Sequence, residues 1–236
     1  MFLLTKRTVF CAFSVALILL CIESKYSLAI EKKPMALFFE PEPDYEFVPP
    51  KPGTYTLPII KKASDGQVLD IHGRSQSLKK ILRGKISIVS FVYLTCSEIR
   101  GCPLAISTFF ELFHTSEKLQ DLRRSAQLVT ISFDPKLDTV EAINAFSYPI
   151  MADDTADRKI KWSVLTTRSQ DQLQPILDGY GQVITRKQDS DIINHLLRIF
   201  LIDKAGNIRN IYGLGTIDPR LLVTDVETLI IEAGRE

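Results

Sequence analysis

The chain has 236 residues with 29 basic and 28 acidic side chains, and 45% of its residues are hydrophobic. That composition excludes wholesale disorder, and the near-zero net charge excludes a protein that grips nucleic acid through a broad basic surface. The length fits one compact domain.

The first segment reads as an export signal. Lys6 and Arg7 precede an apolar run from Val9 to Ile22, and Ser27-Leu28-Ala29 ends in small residues of the kind a signal peptidase reads, so cleavage is expected after Ala29. The apolar run is 14 residues, too short to span a bilayer, which needs roughly 18 to 20. Bulky Leu19 and Leu20 before Cys21 argue against a lipid-attachment site. Loss of residues 1–29 removes Lys6, Arg7 and Lys25 against Glu23, leaving 26 basic and 27 acidic side chains. It also removes Cys11 and Cys21, so the exported chain keeps one pair of thiols, Cys96 and Cys102.

Residues 30–53 hold six of the twelve prolines, interleaved with Glu40, Glu42, Asp44 and Glu46, and predict an extended, mobile tether in which the apolar Leu37, Phe38 and Phe39 could dock on the domain or a partner. The domain then occupies residues 54–236. Tyr55 to Ile60 and Gln67 to Ile71 flank Ala63-Ser64-Asp65-Gly66, which predicts a hairpin. Ser77 to Leu82 predicts a short helix closed by Gly84.

The stretch from Ile86 to Tyr93 is continuously apolar, β-branched and aromatic, as a central strand of a parallel sheet buried on both faces would be. Cys96 and Cys102 follow it directly. Pro103, then Leu104, Ile106, Phe109, Phe110, Leu112 and Phe113 predict a helix starting at or near Cys102. Both thiols therefore fall at a strand-to-helix junction, where unpaired amides and the positive helix end favour thiolate.

Downstream, Gln127 to Phe133 predicts a strand ended by Asp134-Pro135, Thr139 caps a helix through Phe146, and Lys161 to Leu165 is a weaker strand carrying Trp162, read as core. Ser169 to Tyr180 predicts a helix, Leu196 to Ile202 and Asn207 to Tyr212 a hairpin around Asp203-Lys204-Ala205-Gly206, and Asp218 to Ala233 the last helix. The order is that of an α/β, thioredoxin-like fold with a central mixed sheet flanked by helices and an added amino-terminal hairpin. No glycine-rich phosphate loop follows any strand, so neither a nucleotide nor an organic cofactor is expected.

The chain resembles the Sco/SenC family over most of residues 54–233. The resemblance is carried by Gly84-Lys85 before the strand, Thr95, Cys96, Cys102 and Pro103, then Ser132-Phe133-Asp134-Pro135 with Asp138-Thr139, Trp162 with Leu165-Thr166, and His195 before Leu201-Ile202-Asp203 and Gly206. It implies an exported thioredoxin-fold protein acting in copper delivery to, or thiol reduction of, the copper-bearing subunit of cytochrome c oxidase or another exported metalloprotein or thiol protein. That places it in the periplasm or on the outer face of the cytoplasmic membrane, with copper held by Cys96, Cys102 and His195. Where the family typically has three residues between its cysteines, this chain has five.

Two thiolates and an imidazole suit copper, whereas structural zinc would want a fourth protein ligand that the exported chain does not offer. The same pair could instead act as a redox dithiol, Cys96 and Cys102 attacking and resolving a target disulfide, or form a structural disulfide, since five intervening residues can close to the Cα separation a bridge needs. A peroxidase of the peroxiredoxin kind is disfavoured because Thr95 immediately precedes Cys96. His72 and His114 read as surface or capping residues, and Asp134 either supports the site or shapes its turn.

Overall fold

The computed structural model describes residues 33–41, 47–96, 98–186 and 193–235. The signal expected at 1–29 lies outside the described residues.

Strand β4 (Ile86–Val92) is the axis of the domain. All seven of its residues are buried, because it lies between β5 (Ala126–Ser132), parallel to it, and β9 (Ile199–Ile202), antiparallel to it. With β6 (Lys161–Leu165) beyond β5, and β10 (Asn207–Tyr212) and β1 (Lys61–Lys62) beyond β9, they form a six-stranded sheet ordered β1-β10-β9-β4-β5-β6. Successive residues of a strand face opposite sides. Register sets Ile88, Leu128 and Trp162 on one face, where Trp162 meets Phe109 and Phe113 of helix α2 (Cys102–Thr115) at ring distances of 5.7 and 6.0 Å. Phe91 and Phe200 point the other way, onto Tyr180 of helix α6 (Gln170–Tyr180), both at 5.1 Å. Apolar burial on both faces is the main force holding β4 in place.

The polar residues named from this core by their partners are satisfied. Gln127 donates to the Ile81 carbonyl at 2.8 Å and to Ser87 Oγ at 2.9 Å, and the Trp162 indole donates to Thr130 Oγ1 at 2.9 Å. Local capping follows the sequence: Ser77 caps α1 (Leu78–Leu82), Thr139 caps α4 (Val140–Phe146), Ser169 caps α6, and Asp218 caps α7 (Pro219–Ala233). Helix α3 (Gln120–Ser125) leads into β5, and α5 (Tyr148–Met151) follows α4. The thioredoxin-like architecture with a central mixed sheet is the one the sequence predicts.

Two local expectations change. The amino-terminal hairpin does not turn at Ala63–Gly66: Lys61 and Lys62 pair with β10, and the hairpin is β2 (Gln67–Leu69) against β3 (Ser75–Ser77). Asp70 makes that turn, accepting from the backbone N–H groups of His72 and Arg74 at 2.9 and 3.0 Å, with Gly73 at φ +73°. Asp65 is used differently, accepting from Ser77 Oγ at 2.8 Å and the Lys79 N–H at 2.9 Å, so its carboxylate caps the start of α1. The tether also differs from a free linker. Met35 and Phe39 are buried, the Met35 N–H donates to Glu227 Oε2 at 2.9 Å, and the Gly53 N–H donates to Thr228 Oγ1 at 3.1 Å, so the segment is held to α7 at Met35 and at Gly53, while Leu37 and Val48 stay exposed.

Because Met35 is docked in this way, Met35→Ala should destabilise the domain by about 2 kcal/mol or more in chemical denaturation, the cost of truncating a buried methionine. A stability equal to that of the unchanged protein would mean that the segment is not part of the folded core.

Candidate functional site

The site lies where β4 and β5 end, α2 begins, and a small hairpin closes over them. Helix α2 starts at Cys102, with Gly101 as its N-cap and Pro103 in its first turn, so the predicted junction is where the structure puts it. The hairpin pairs β7 (Ile184–Arg186) antiparallel with β8 (Ile193–His195). The sequence offers little sign of it: residues 184–195 carry little apolar periodicity, and His195 is expected as a loop residue before a strand rather than as the last residue of one.

The structure brings Cys102 and His195 together across 93 residues of chain, with Sγ and Nε2 3.5 Å apart. His195 Nδ1 lies 3.0 Å from the Ile193 carbonyl, which can only accept, so Nδ1 carries a proton, and in the neutral ring Nε2 presents its lone pair to the sulfur. The imidazole is wedged between aromatic rings, 4.7 Å from that of Phe133 and 5.7 Å from that of Tyr93. His72 and His114 sit elsewhere, in the β2–β3 turn and at the end of α2, as bland positions for histidine.

Cys96 adjoins this pair, and the two thiols are free and interact with each other. They are tuned in opposite directions. Partial burial opposes ionisation of Cys96, but hydrogen bonds from the Cys102 backbone N–H, the Tyr93 hydroxyl, the Glu98 backbone N–H and the Cys102 thiol outweigh it, and its pKa falls below that of an ordinary thiol. Cys102 is fully buried, and desolvation, aided by the charge that Cys96 can carry, pushes its pKa well up. Tyr93 is itself pushed up to about 12, first by burial and then by its hydrogen bond to Cys96. Tyr93 is the residue sequence reasoning missed; its place as the last aromatic of the β4 run before the thiols is the signal that could have found it.

Asp134 does not supply a donor to the thiols. It is buried at the end of β5 and forms an ion pair with Arg186 at 3.0 Å, while its backbone carbonyl accepts from the Asp138 N–H at 2.8 Å. Asp138, also buried, accepts from Ser132 Oγ at 2.5 Å and from the Leu94 N–H at 3.1 Å, holding the start of the thiol loop; burial pushes its pKa up. Among the described residues no three His, Cys, Asp or Glu side chains already converge as a metal cluster. The Cys102–His195 spacing nevertheless fits one. With metal–sulfur and metal–nitrogen bonds of about 2.3 and about 2.0 Å, two ligands of one tetrahedral ion stand about 3.5 Å apart.

A strand ending in two thiols at a helix N-terminus, with a histidine brought to the second from a later hairpin, defines a thioredoxin-like protein equipped for thiol or soft-metal chemistry. The chain belongs to the SCO1/SenC family, whose model matches residues 65–231. No curated protein matches it. Solved structures show the same fold at low identity. A copper-bound ScoI from Arabidopsis thaliana is 21% identical, with a TM-score of 0.57, covering 72% of this chain and 98% of that one. A SCO1/SenC family lipoprotein from Bacillus anthracis is 21% identical, with a TM-score of 0.58, covering 71% and 93%. BsSco, described as having a disulfide switch and as a member of the Sco family of cytochrome c oxidase assembly proteins, is 19% identical, with a TM-score of 0.56, covering 74% and 96%.

The opposed tuning of the thiols has a direct readout. A limiting alkylating agent should label Cys96 about tenfold or more ahead of Cys102, and Cys96 should still react at a pH well under the ordinary thiol value of about 8.5. Trypsin separates the two at Arg100, so mass spectrometry can score each; equal labelling would contradict the assignment.

Proposed function

We propose that this protein is an exported copper-delivery factor in which Cys96, Cys102 and His195 hold copper as cargo and pass it to the copper-bearing subunit of cytochrome c oxidase. The observation that carries this reading is the 3.5 Å approach of His195 Nε2, presented as a lone pair, to the buried Cys102 sulfur. Family membership and the copper-bound state of the ScoI relative add to it.

Chemically, two thiolates and a neutral imidazole make a soft set of low coordination that suits Cu(I). The residues divide the work. Half-buried Cys96, ready to ionise, is the donor that incoming metal meets and the one an acceptor thiolate can displace by ligand exchange. Buried Cys102 gives up its proton only against a strong pull such as a metal's, so metal uptake releases a proton there. His195 is held in the tautomer that binds metal through Nε2. Export follows from residues 1–29 as a signal, which puts the domain in the periplasm or at the outer face of the cytoplasmic membrane. Among the described residues no helix is long and apolar enough to cross a membrane.

Reduced protein titrated with copper under anaerobic conditions should bind it stoichiometrically, with sulfur-to-copper charge-transfer absorption. His195→Ala should weaken binding by about 10-fold or more, since even the loss of a hydrogen-bond partner to a metal ligand costs about 10- to 100-fold. A His195→Ala protein that holds copper as tightly as the unchanged one would overturn the assignment.

A second reading is favoured by one observation, the two free thiols in contact with opposite tuning. As a dithiol, Cys96 thiolate would attack a target disulfide and release one target thiolate. Cys102, passing its proton to His195 Nε2, would then attack the Cys96 sulfur, freeing the second thiolate and leaving a Cys96–Cys102 disulfide with two electrons given to the target. Reduction of an exported protein disulfide should then need both cysteines, and Cys102→Ser should trap the mixed disulfide. Turnover that survives Cys102→Ser would end this reading.

A further inference from the structure

His195 does not sit on the main sheet. It ends the two-stranded hairpin β7–β8, whose register sets Ile184 opposite His195 and Arg186 opposite Ile193. What holds that hairpin against the end of β5 is therefore what holds the imidazole near the sulfur. Two consecutive residues at the end of β5 reach both of its strands. The Phe133 ring packs on the His195 ring of β8, while the Phe133 carbonyl accepts from Arg186 of β7 at 3.4 Å. The Asp134 carboxylate takes the same guanidinium nitrogen at 3.0 Å, and Gln170 Oε1 accepts from it at 3.3 Å.

The two ends of this ion pair differ in environment. Asp134 is 1% exposed, and its second carboxylate oxygen has no hydrogen-bond partner, whereas the Arg186 side chain is 38% exposed. Among the described residues Arg186 is the one cation within ion-pairing distance of that carboxylate. A buried carboxylate with a single cationic partner penalises any state in which the partner leaves. The penalty falls on displacement of β7, and through the β7–β8 register on displacement of His195.

We propose that Arg186 is a positioning residue: its ion pair with Asp134 latches the β7–β8 hairpin to the end of β5 and thereby keeps the His195 imidazole on Cys102. The latch acts through geometry and touches neither sulfur nor imidazole. Its consequence for copper rests on the copper reading above; its consequence for the position of the ring does not.

The experiment follows the ring and the metal separately. In reduced, copper-free protein, NMR cross-peaks between the protons of the His195 and Phe133 rings should be present in the unchanged chain, absent in Arg186→Gln, and largely kept in Arg186→Lys. The amide pattern of the six-stranded sheet should be unchanged in all three. In copper competition, Arg186→Gln should bind about tenfold or more weakly and Arg186→Lys should fall between. Ring cross-peaks that persist in Arg186→Gln would overturn the latch, whatever the protein does with copper. If the cross-peaks vanish in Arg186→Gln while the unchanged protein binds no copper, the latch is supported and the copper reading alone is struck. If Arg186→Gln fails to fold for want of a partner to Asp134, the double variant Asp134→Asn with Arg186→Gln removes both charges. That protein should fold and lack the same cross-peaks, and their presence there would equally overturn the proposal.

Discussion

The structure depends on a lone pair meeting a sulfur: His195 Nε2 faces Cys102 Sγ at 3.5 Å, and each is held there by its own surroundings rather than by the other. Cys102 is the first residue of α2 and is fully buried, fixed by the packing of that helix against the Trp162 face of the sheet. His195 is fixed in rotation by the Ile193 carbonyl and in place by Phe133 and Tyr93. Such over-determination keeps two polar groups at bonding distance inside an aromatic surround, where an unpartnered one would be costly.

Around that pair the electrostatics are unequal because the fold buries one thiol more deeply than the other. Cys96 collects hydrogen bonds from helix-start and loop amides and from Tyr93, which stabilise a thiolate; one loop later, Cys102 has lost its water and resists ionisation. The same sequence motif, a cysteine beside a helix N-terminus, thus yields opposite tendencies. The deciding factor is burial, which outweighs the helix dipole for Cys102 and does not for Cys96. An asymmetric pair serves either proposed chemistry, giving copper an accessible entry ligand and a protected one, or giving a dithiol an attacking sulfur and a resolving one.

The supporting residues form a chain from sheet to site. Ser132, Phe133, Asp134 and Asp138 lie close together in sequence at the end of β5. Through side chain or backbone they reach the thiol loop at Leu94, the imidazole, and the hairpin strand bearing Arg186. β5 runs parallel to β4 and in register with it, so its end necessarily arrives beside the thiols. A parallel sheet thereby gathers at one edge residues that are remote along the chain.

Much of this was legible in the chain itself. The run Ile86 to Tyr93 is apolar without alternation, which only a strand covered on both faces explains, and Thr139, Ser169 and Asp218 mark helix starts through short-range hydrogen bonds that each residue carries locally. The β9–β10 turn at Asp203 to Gly206 is local in the same sense, with Gly206 at φ +82°. Local signals mislead wherever a side chain takes a distant partner over a neighbour: Asp65 looks like a turn residue but caps α1, and the prolines around Met35 suggest a free tether whose methionine is buried on α7. Sequence periodicity and capping therefore determined most of the strands, the helices and the thiol junction, because those signals act within a few residues. Only the tertiary structure decided that Tyr93 belongs to the site and how far the two thiols differ, because burial and long-range partners are properties of the packed chain.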